Sequence, residues 1–527
     1  MKVTRFMVAA TIAVLLGSGA MPASAAEEQL GKVKFDNSCN AAVKAELERG
    51  VAMLHSFWYT AGEKTFREVL SKDPGCAIAT WGIASVLMSN PLAGQGASPK
   101  SAEVAQVAID EGRRIGAKTQ RERDYIEAVA AYYQDFGGRP ERARQEARSK
   151  AYLALAERYP DDDEAQIFSA LYLAGTQSQA DQSYAAYRKA AAVLEKQFAK
   201  YPDHPGVAHY LIHSYDAPPI AQQGLTAARR YASIAPAAPH ALHMPSHIFT
   251  RVGAWEESAA TNARSAEVAE KNSDFDEQMH AADYMMYAYL QLARDGEARR
   301  TLEAANRVTG FKVQAGPYAA AAIPARYAIE RGAWREAAQL EVKPSKIPFA
   351  DALTWFARAL GAARSGDAAG AEKGGAELAR LHKTLMDAGN RYWATEVEIQ
   401  QLAVDGWISL AQGKREDALK YMRAAADLED KNEKHIVTPG RILPARELLG
   451  EMLIEVGQPA VALKEFEASH VREPNRFRGL YGAALAAEQA GDKQKAAAYY
   501  GKLQELAKNG DPSRPELKRA KAYVAQR

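Results

Sequence analysis

His209 and His213 lie four residues apart, and so do His243 and His247. On a helix that spacing places both side chains on one face with Cβ atoms about 6 Å apart, close enough for two imidazoles to share a metal ion. The second pair follows the first by 34 residues, and six of the 11 histidines fall between 209 and 280. Neutral imidazole suits zinc, copper, iron or nickel, and a carboxylate such as Asp283 favours the harder members. The expected ligand set is therefore His209, His213, His243, His247 and Asp283, with zinc, copper or iron as the ion and His280 an alternative to complete the shell. The tight H-E-x-x-H signature is absent.

Such side chains converge only if helices of equal length stack in register. The C-terminal third shows that stacking most clearly. Leu449, Gly450, Leu453, Gly457, Ala462, Phe466 and Pro474 occupy positions 7, 8, 11, 15, 20, 24 and 32 of a 34-residue unit, and Ala484, Gly491, Ala496 and Tyr500 repeat it. Gly406, Gly413 and Ala418 mark a third unit, and Trp355, Gly366 and Ala371 a fourth. Small residues at positions 8 and 20 let paired helices approach, glycine at 15 turns the chain, and the aromatic at 24 fills the seam. Gly50, Phe66, Leu70 and Pro74 fit the same grammar, Trp81-Gly82 opens a further unit, and Gly253 and Gly332 each start an inter-helix turn. No run alternates with period two, so strands are not expected. The predicted fold is all-α, a helical-repeat superhelix or α-solenoid.

This pattern resembles the tetratricopeptide repeat (TPR) family over most of residues 40–510. Three segments, Met53–Trp58, Thr80–Ala84 and His243–Phe249, are similar to those of secreted bacterial TPR proteins. The resemblance implies the fold and assigns no activity. It also implies that first-helix positions 2, 5 and 9 line a concave groove. His209 and His213 take positions 5 and 9, and His240, His243 and His247 take 2, 5 and 9 of the next unit. His280 and Asp283 take 2 and 5 of the unit after that, and Arg326 takes 9. His240, His280 and Arg326 are thus candidate groove residues; Arg326 could grip an anion or pair with a neighbouring acid. Pro236, Pro239 and Pro245 would fix the start of the second histidine helix. His55, beside Phe57 and Trp58, reads as a satisfied, half-buried ring. Glu164, after Asp161–Asp163, could extend the cluster, but the helix dipole accounts for acids opening a helix.

Lys2 and Arg5, an apolar run from Phe6 to Leu16 and Ala23-Ser24-Ala25 compose a signal peptide over 1–25, implying a periplasmic or secreted protein. No later apolar run is long enough to span a bilayer, so stable membrane insertion is not expected. Without Lys2 and Arg5 the basic and acidic residues balance at 65 each, which argues against nucleic-acid binding. Cys39 and Cys76 precede successive helices and either form a disulfide or stay free; no C-x-x-C exists for thiol redox chemistry. Nucleophile elbows, phosphate loops and EF-hand loops are absent as well.

Breaks in the periodicity at 216–219, 235–239, 310–319 and 342–348 are rich in Pro, Gly or polar residues. The last two divide the mature chain into an N-terminal array with the histidine cluster (26–310), an irregular connecting segment with helices (311–350) and a C-terminal array (351–527). Two functions follow. One is an exported repeat protein that binds a protein or peptide partner in its groove, with a histidine-lined central pocket. The other is a metal-dependent enzyme using the same histidines.

Overall fold

A computed structural model describes residues 29–312 and 315–526. The chain is an all-α, TPR-like solenoid, with no strand among the described residues. Each helix packs on the next, and alternate helices such as Phe275–Gln291 and Ala315–Glu330 pack on each other. The same steric device builds both ends. A Cβ on Gly50 or Gly82 would meet the Phe66 ring at 2.8 or 2.5 Å, and one on Gly450 or Gly482 would meet Phe466 at 2.7 or 2.3 Å. One aromatic ring thus fills the space left by two glycines 32 residues apart. Any side chain at those glycines would push the helices out of step.

One apolar core runs from Leu30 to Phe249, with Ile436 added from far along the chain. A second runs from Tyr318 to Ala496. Cys39 and Cys76 are disulfide-bonded, with Cα atoms 4.7 Å apart, and tie the leading segment to the turn before helix Ile78–Leu87. Within 311–350 the helix Ala315–Glu330 packs on Phe275–Gln291 and Pro348–Ser365, so this helix continues the array. The expected signal peptide lies outside the described residues. Among the described residues no helix is long and apolar enough to cross a membrane.

The superhelix coils tightly enough for distant units to touch. Trp255 Nε1 donates to Asn475 O (2.7 Å), Phe477 N to Gln291 Oε1 (2.9 Å) and Asp511 N to Ala293 O (2.7 Å). Gly253 sits at this contact with φ of +71°, and a Cβ there would meet Pro474 O at 2.6 Å. Both the turn and the contact require glycine.

Between helices Arg415–Glu429 and Ala445–Glu455 the chain leaves the repeat pattern. Residues 430–444 run as a non-helical strap against the N-terminal array, with most of their side chains buried. Glu433 accepts from Arg251 Nη1 (2.9 Å) and Tyr184 OH (2.9 Å), and His435 Nε2 lies 3.1 Å from Ala93 O. Arg326 donates to Thr438 Oγ1 (2.8 Å), Gly440 O (2.7 Å) and Arg441 O (2.9 Å). Side chains on three separate units thus hold the Glu433 and Thr438 side chains and the Gly440 and Arg441 carbonyls of the strap.

Candidate metal centre

Three helical segments carry the histidines. Helix Pro205–Tyr215 holds His209 and His213, starting with Pro205 in its first turn and capped by the His204 side chain, which accepts from Val207 N (3.3 Å). Pro239–His243 and Pro245–Val252 follow one another, each opened by its proline, and carry His240, His243 and His247. A proline at a helix start loses no hydrogen bond because that N–H is unpaired anyway. Helix Phe275–Gln291, capped by Asp274, supplies His280.

The six rings form two trios: His209, His213 and His240, and His243, His247 and His280. Each trio brings three nitrogens within 4.8 Å of one another. The trios adjoin, with ring centroids 5.5 Å apart for His213 and His247 and 5.8 Å for His240 and His243.

Hydrogen bonding fixes the protons of two rings of the second trio, His243 and His247. His243 Nδ1 lies 2.7 Å from Asn262 Oδ1, and Asn262 Nδ2 donates to Ser258 O (2.7 Å), which turns the amide oxygen toward the ring. His243 must donate from Nδ1. His247 Nδ1 lies 2.8 Å from Asp216 Oδ2 and must donate as well. Both Nε2 atoms then carry a lone pair and face each other at 3.1 Å. Two acceptors at that distance repel unless something positive lies between them. The Tyr284 hydroxyl lies 3.4 Å from His247 Nε2, farther than from Ile436 O and Thr438 O (3.1 Å each), which compete for its one proton. A proton is a poor candidate. Burial pushes the His243 imidazole down to about 3, with Glu277 opposing and the neighbouring imidazoles adding. Burial also lowers His247, though Asp216 opposes it. A metal ion fits: metal–nitrogen bonds of about 2.0–2.1 Å at angles of about 90–110° separate the two nitrogens by about 2.9–3.4 Å.

Four of the six rings have the support that orients ligating histidines, whose second N–H is almost always held by a carboxylate, carbonyl or water. His213 Nδ1 and His280 Nδ1 are buried without a hydrogen-bond partner. His209 Nδ1 donates to His55 O (2.6 Å), a carbonyl left free at the end of helix Lys44–His55. His240 Nδ1 lies 3.1 Å from Glu277 Oε2. Burial, with neighbouring imidazoles adding, holds His209, His213 and His280 well below the usual range, keeping them neutral and able to ligate.

A third cluster fails the same test. Glu164 accepts from His55 Nε2 and His204 Nε2 (2.9 Å each), His55 Nδ1 contacts Tyr210 OH (2.9 Å), and His204 Nδ1 caps its helix. Every ring nitrogen has a partner of the right kind, so this is a satisfied hydrogen-bond knot. Burial opposes ionisation of Glu164, but His55 and His204 hold its pKa well below the usual range. Helix-dipole placement alone does not describe Glu164, which is buried and bonded to both rings.

The strap closes the centre. Tyr284, its ring 4.6 Å from His243 and 5.1 Å from His247, donates its hydroxyl toward Ile436 O and Thr438 O (3.1 Å each). Lys434 Nζ stands 3.5 Å from Asp216 Oδ2, a charge contact without a hydrogen bond, and burial lowers its pKa to about 8 against the pull of Asp216.

Several expected roles change. The set of His209, His213, His243, His247 and Asp283 does not form one shell; the pairs divide between two trios, completed by His240 and His280. Asp283 is engaged by Arg326 through both oxygens (2.7 and 3.4 Å). Arg326 is fully buried between Asp283 and the strap, so it is the partner of a neighbouring acid. At this level the strap lies against Tyr284 and Arg326. Asp216, Asn262, Glu277 and the strap residues Glu433 and Lys434 were not among the expected site residues. Only Asp216, directly after the first histidine helix, carried a signal.

No protein-family model matches the chain, and no curated protein matches it. Similar solved structures include a human IFIT1 dimer with m7Gppp-AAAA, at 13% identity over 77% of this chain and 87% of that chain with a TM-score of 0.35. The APC/C hetero-tetramer Cut9-Hcn1 aligns at 13% identity over 91% of this chain and 97% of that chain, with a TM-score of 0.29. Neither likeness bears on what this chain binds.

Proposed function

We propose that this protein is an exported metalloprotein whose repeat scaffold holds a transition-metal ion, zinc, copper or iron, on His243, His247 and His280. The observation that carries the reading is the pair of unprotonated Nε2 atoms facing at 3.1 Å, each ring's proton held on its far side by Asn262 or Asp216. A ligand group of three imidazoles with no carboxylate in it favours zinc or copper over harder ions. A bound ion with an open position supplies Lewis-acid or redox chemistry toward water or dioxygen. The residues around it supply orientation, through Asp216 and Asn262, and exclusion of bulk water, through Tyr284 and the strap. The basic, apolar and A-x-A start supports export to the periplasm, and the similarity of three segments to secreted bacterial TPR proteins agrees with it.

A protein or peptide laid along the groove at the histidines would have to displace Glu433–Arg441 from their bonds to Arg251 and Arg326. Groove binding is therefore the weaker reading at this level of the superhelix.

The test is elemental analysis of the full chain, exported and purified without chelator. Stoichiometric zinc, copper or iron is expected, with loss from the His243→Ala/His247→Ala double variant. A metal-free protein whose melting temperature does not respond to any of the three ions overturns the reading.

A further inference from the structure

We infer that the centre is built for two ions, the second held by His209, His213 and His240. This rests on the metal reading of the His243 trio and extends it to a site of its own.

The two trios are one motif made twice. Each has an i, i+4 pair, His209 and His213 on one helix and His243 and His247 on two short helices in succession, and a third histidine from the following unit: His240 joins His209 and His213, and His280 joins His243 and His247. The pairs are displaced by the 34-residue repeat, so the array that builds one trio builds the other.

The donor pattern in the first trio also points to a cation. His209 gives its Nδ1 proton to His55 O (2.6 Å), which leaves Nε2 bare, and that atom lies 3.1 Å from His213 Nε2. His240 pairs through Nδ1 with Glu277 (3.1 Å), and its Nε2 is buried without any partner. A hydrogen bond from His213 would satisfy His209. It would still leave His240 Nε2 in the trio with nothing to accept from, and His213 Nδ1 is likewise unpartnered. A metal ion supplies what His209 Nε2 and His240 Nε2 lack and takes one nitrogen of His213. Phe57, which packs on all three rings with centroids 4.4, 6.2 and 5.5 Å away, walls the trio on one side. All six donors are imidazoles, which selects copper or zinc over calcium, magnesium or manganese.

The experiment uses the full chain, isolated without chelator and then loaded with Cu(II), with copper counted per chain and spins counted by electron paramagnetic resonance. Two copper ions are expected in the wild type, with spin intensity below two because neighbouring ions couple. His240→Ala and His280→Ala should each retain one ion and one full spin. His240→Gln serves as a second variant should the alanine form fold poorly by circular dichroism. One ion in the wild type, unaffected by either His240 change, overturns the second site and leaves the first intact. Two ions that both survive the His240 changes overturn the assignment of His240. No ion in any form overturns both this inference and the metal reading beneath it.

Discussion

Asp216 divides its carboxylate between His247 and Arg251: Oδ2 lies 2.8 Å from His247 Nδ1, and Oδ1 accepts from Arg251 Nε at 2.7 Å. Burial works to neutralise this carboxyl, but Lys434 and Arg251 hold its pKa well below the ordinary range. The charge that orients His247 is thus itself fixed by cations, one of which comes from the strap.

Asp216→Asn should weaken metal binding about 10–100-fold, the usual cost of losing a group that orients a ligating histidine. Chelator competition measures it. An unchanged affinity would mean that His247 needs no charged partner.

Arg326→Ala should destabilise the protein by about 3–5 kcal/mol, because it strands the buried Asp283 carboxyl. It also releases Thr438, Gly440 and Arg441 from their donor, so limited proteolysis should cut faster within 431–443. Arg326→Lys should recover little, since an ammonium cannot reproduce the guanidinium's fork of donors. Urea denaturation reads the first effect, and a loss below about 1 kcal/mol would contradict the strap's anchoring.

Opening the bond between Cys39 and Cys76, 37 residues apart in sequence, should cost about 2–4 kcal/mol through the freer unfolded chain. Metal content should not change in the Cys39→Ser/Cys76→Ser variant. Thermal melting with elemental analysis separates the two effects.

Burial pushes the Glu429 carboxyl up to about 8, with Arg441 opposing and Glu473 adding. A carboxyl raised above its unfolded value of 4.5 stabilises the fold fully below pH 4.5 and loses that contribution as pH rises through about 8. Glu429→Gln should therefore lose less stability than the wild type between those limits, by the order of a few kcal/mol. Denaturation at pH 5 and pH 8 gives the difference, and parallel losses in the two proteins would contradict it.

The scaffold was legible because its rules are local. A glycine at Gly450 and another at Gly482 with Phe466 between them encode helix approach within one unit, and the same set recurs along the sequence. The histidine pairs were legible from their four-residue spacing. Their partners were not. Which neighbouring histidine completes a pair depends on the step between units, so His240 read as a groove residue and His280 as either a groove residue or an alternative ligand. Asp283 looked free because its partner, Arg326, lies 43 residues on. The strap was hidden for a similar reason. Thr438-Pro439-Gly440 announces a turn, but nothing local says that His435 ends beside Ala93, 342 residues away.

X-ray absorption at the metal edge of the protein as isolated tests the facing His243 and His247 nitrogens most directly. The account predicts a shell of three or more imidazole nitrogens at about 2.0–2.1 Å, reduced in His247→Ala. An absent edge, or a shell of oxygen alone that ignores the substitution, would contradict it.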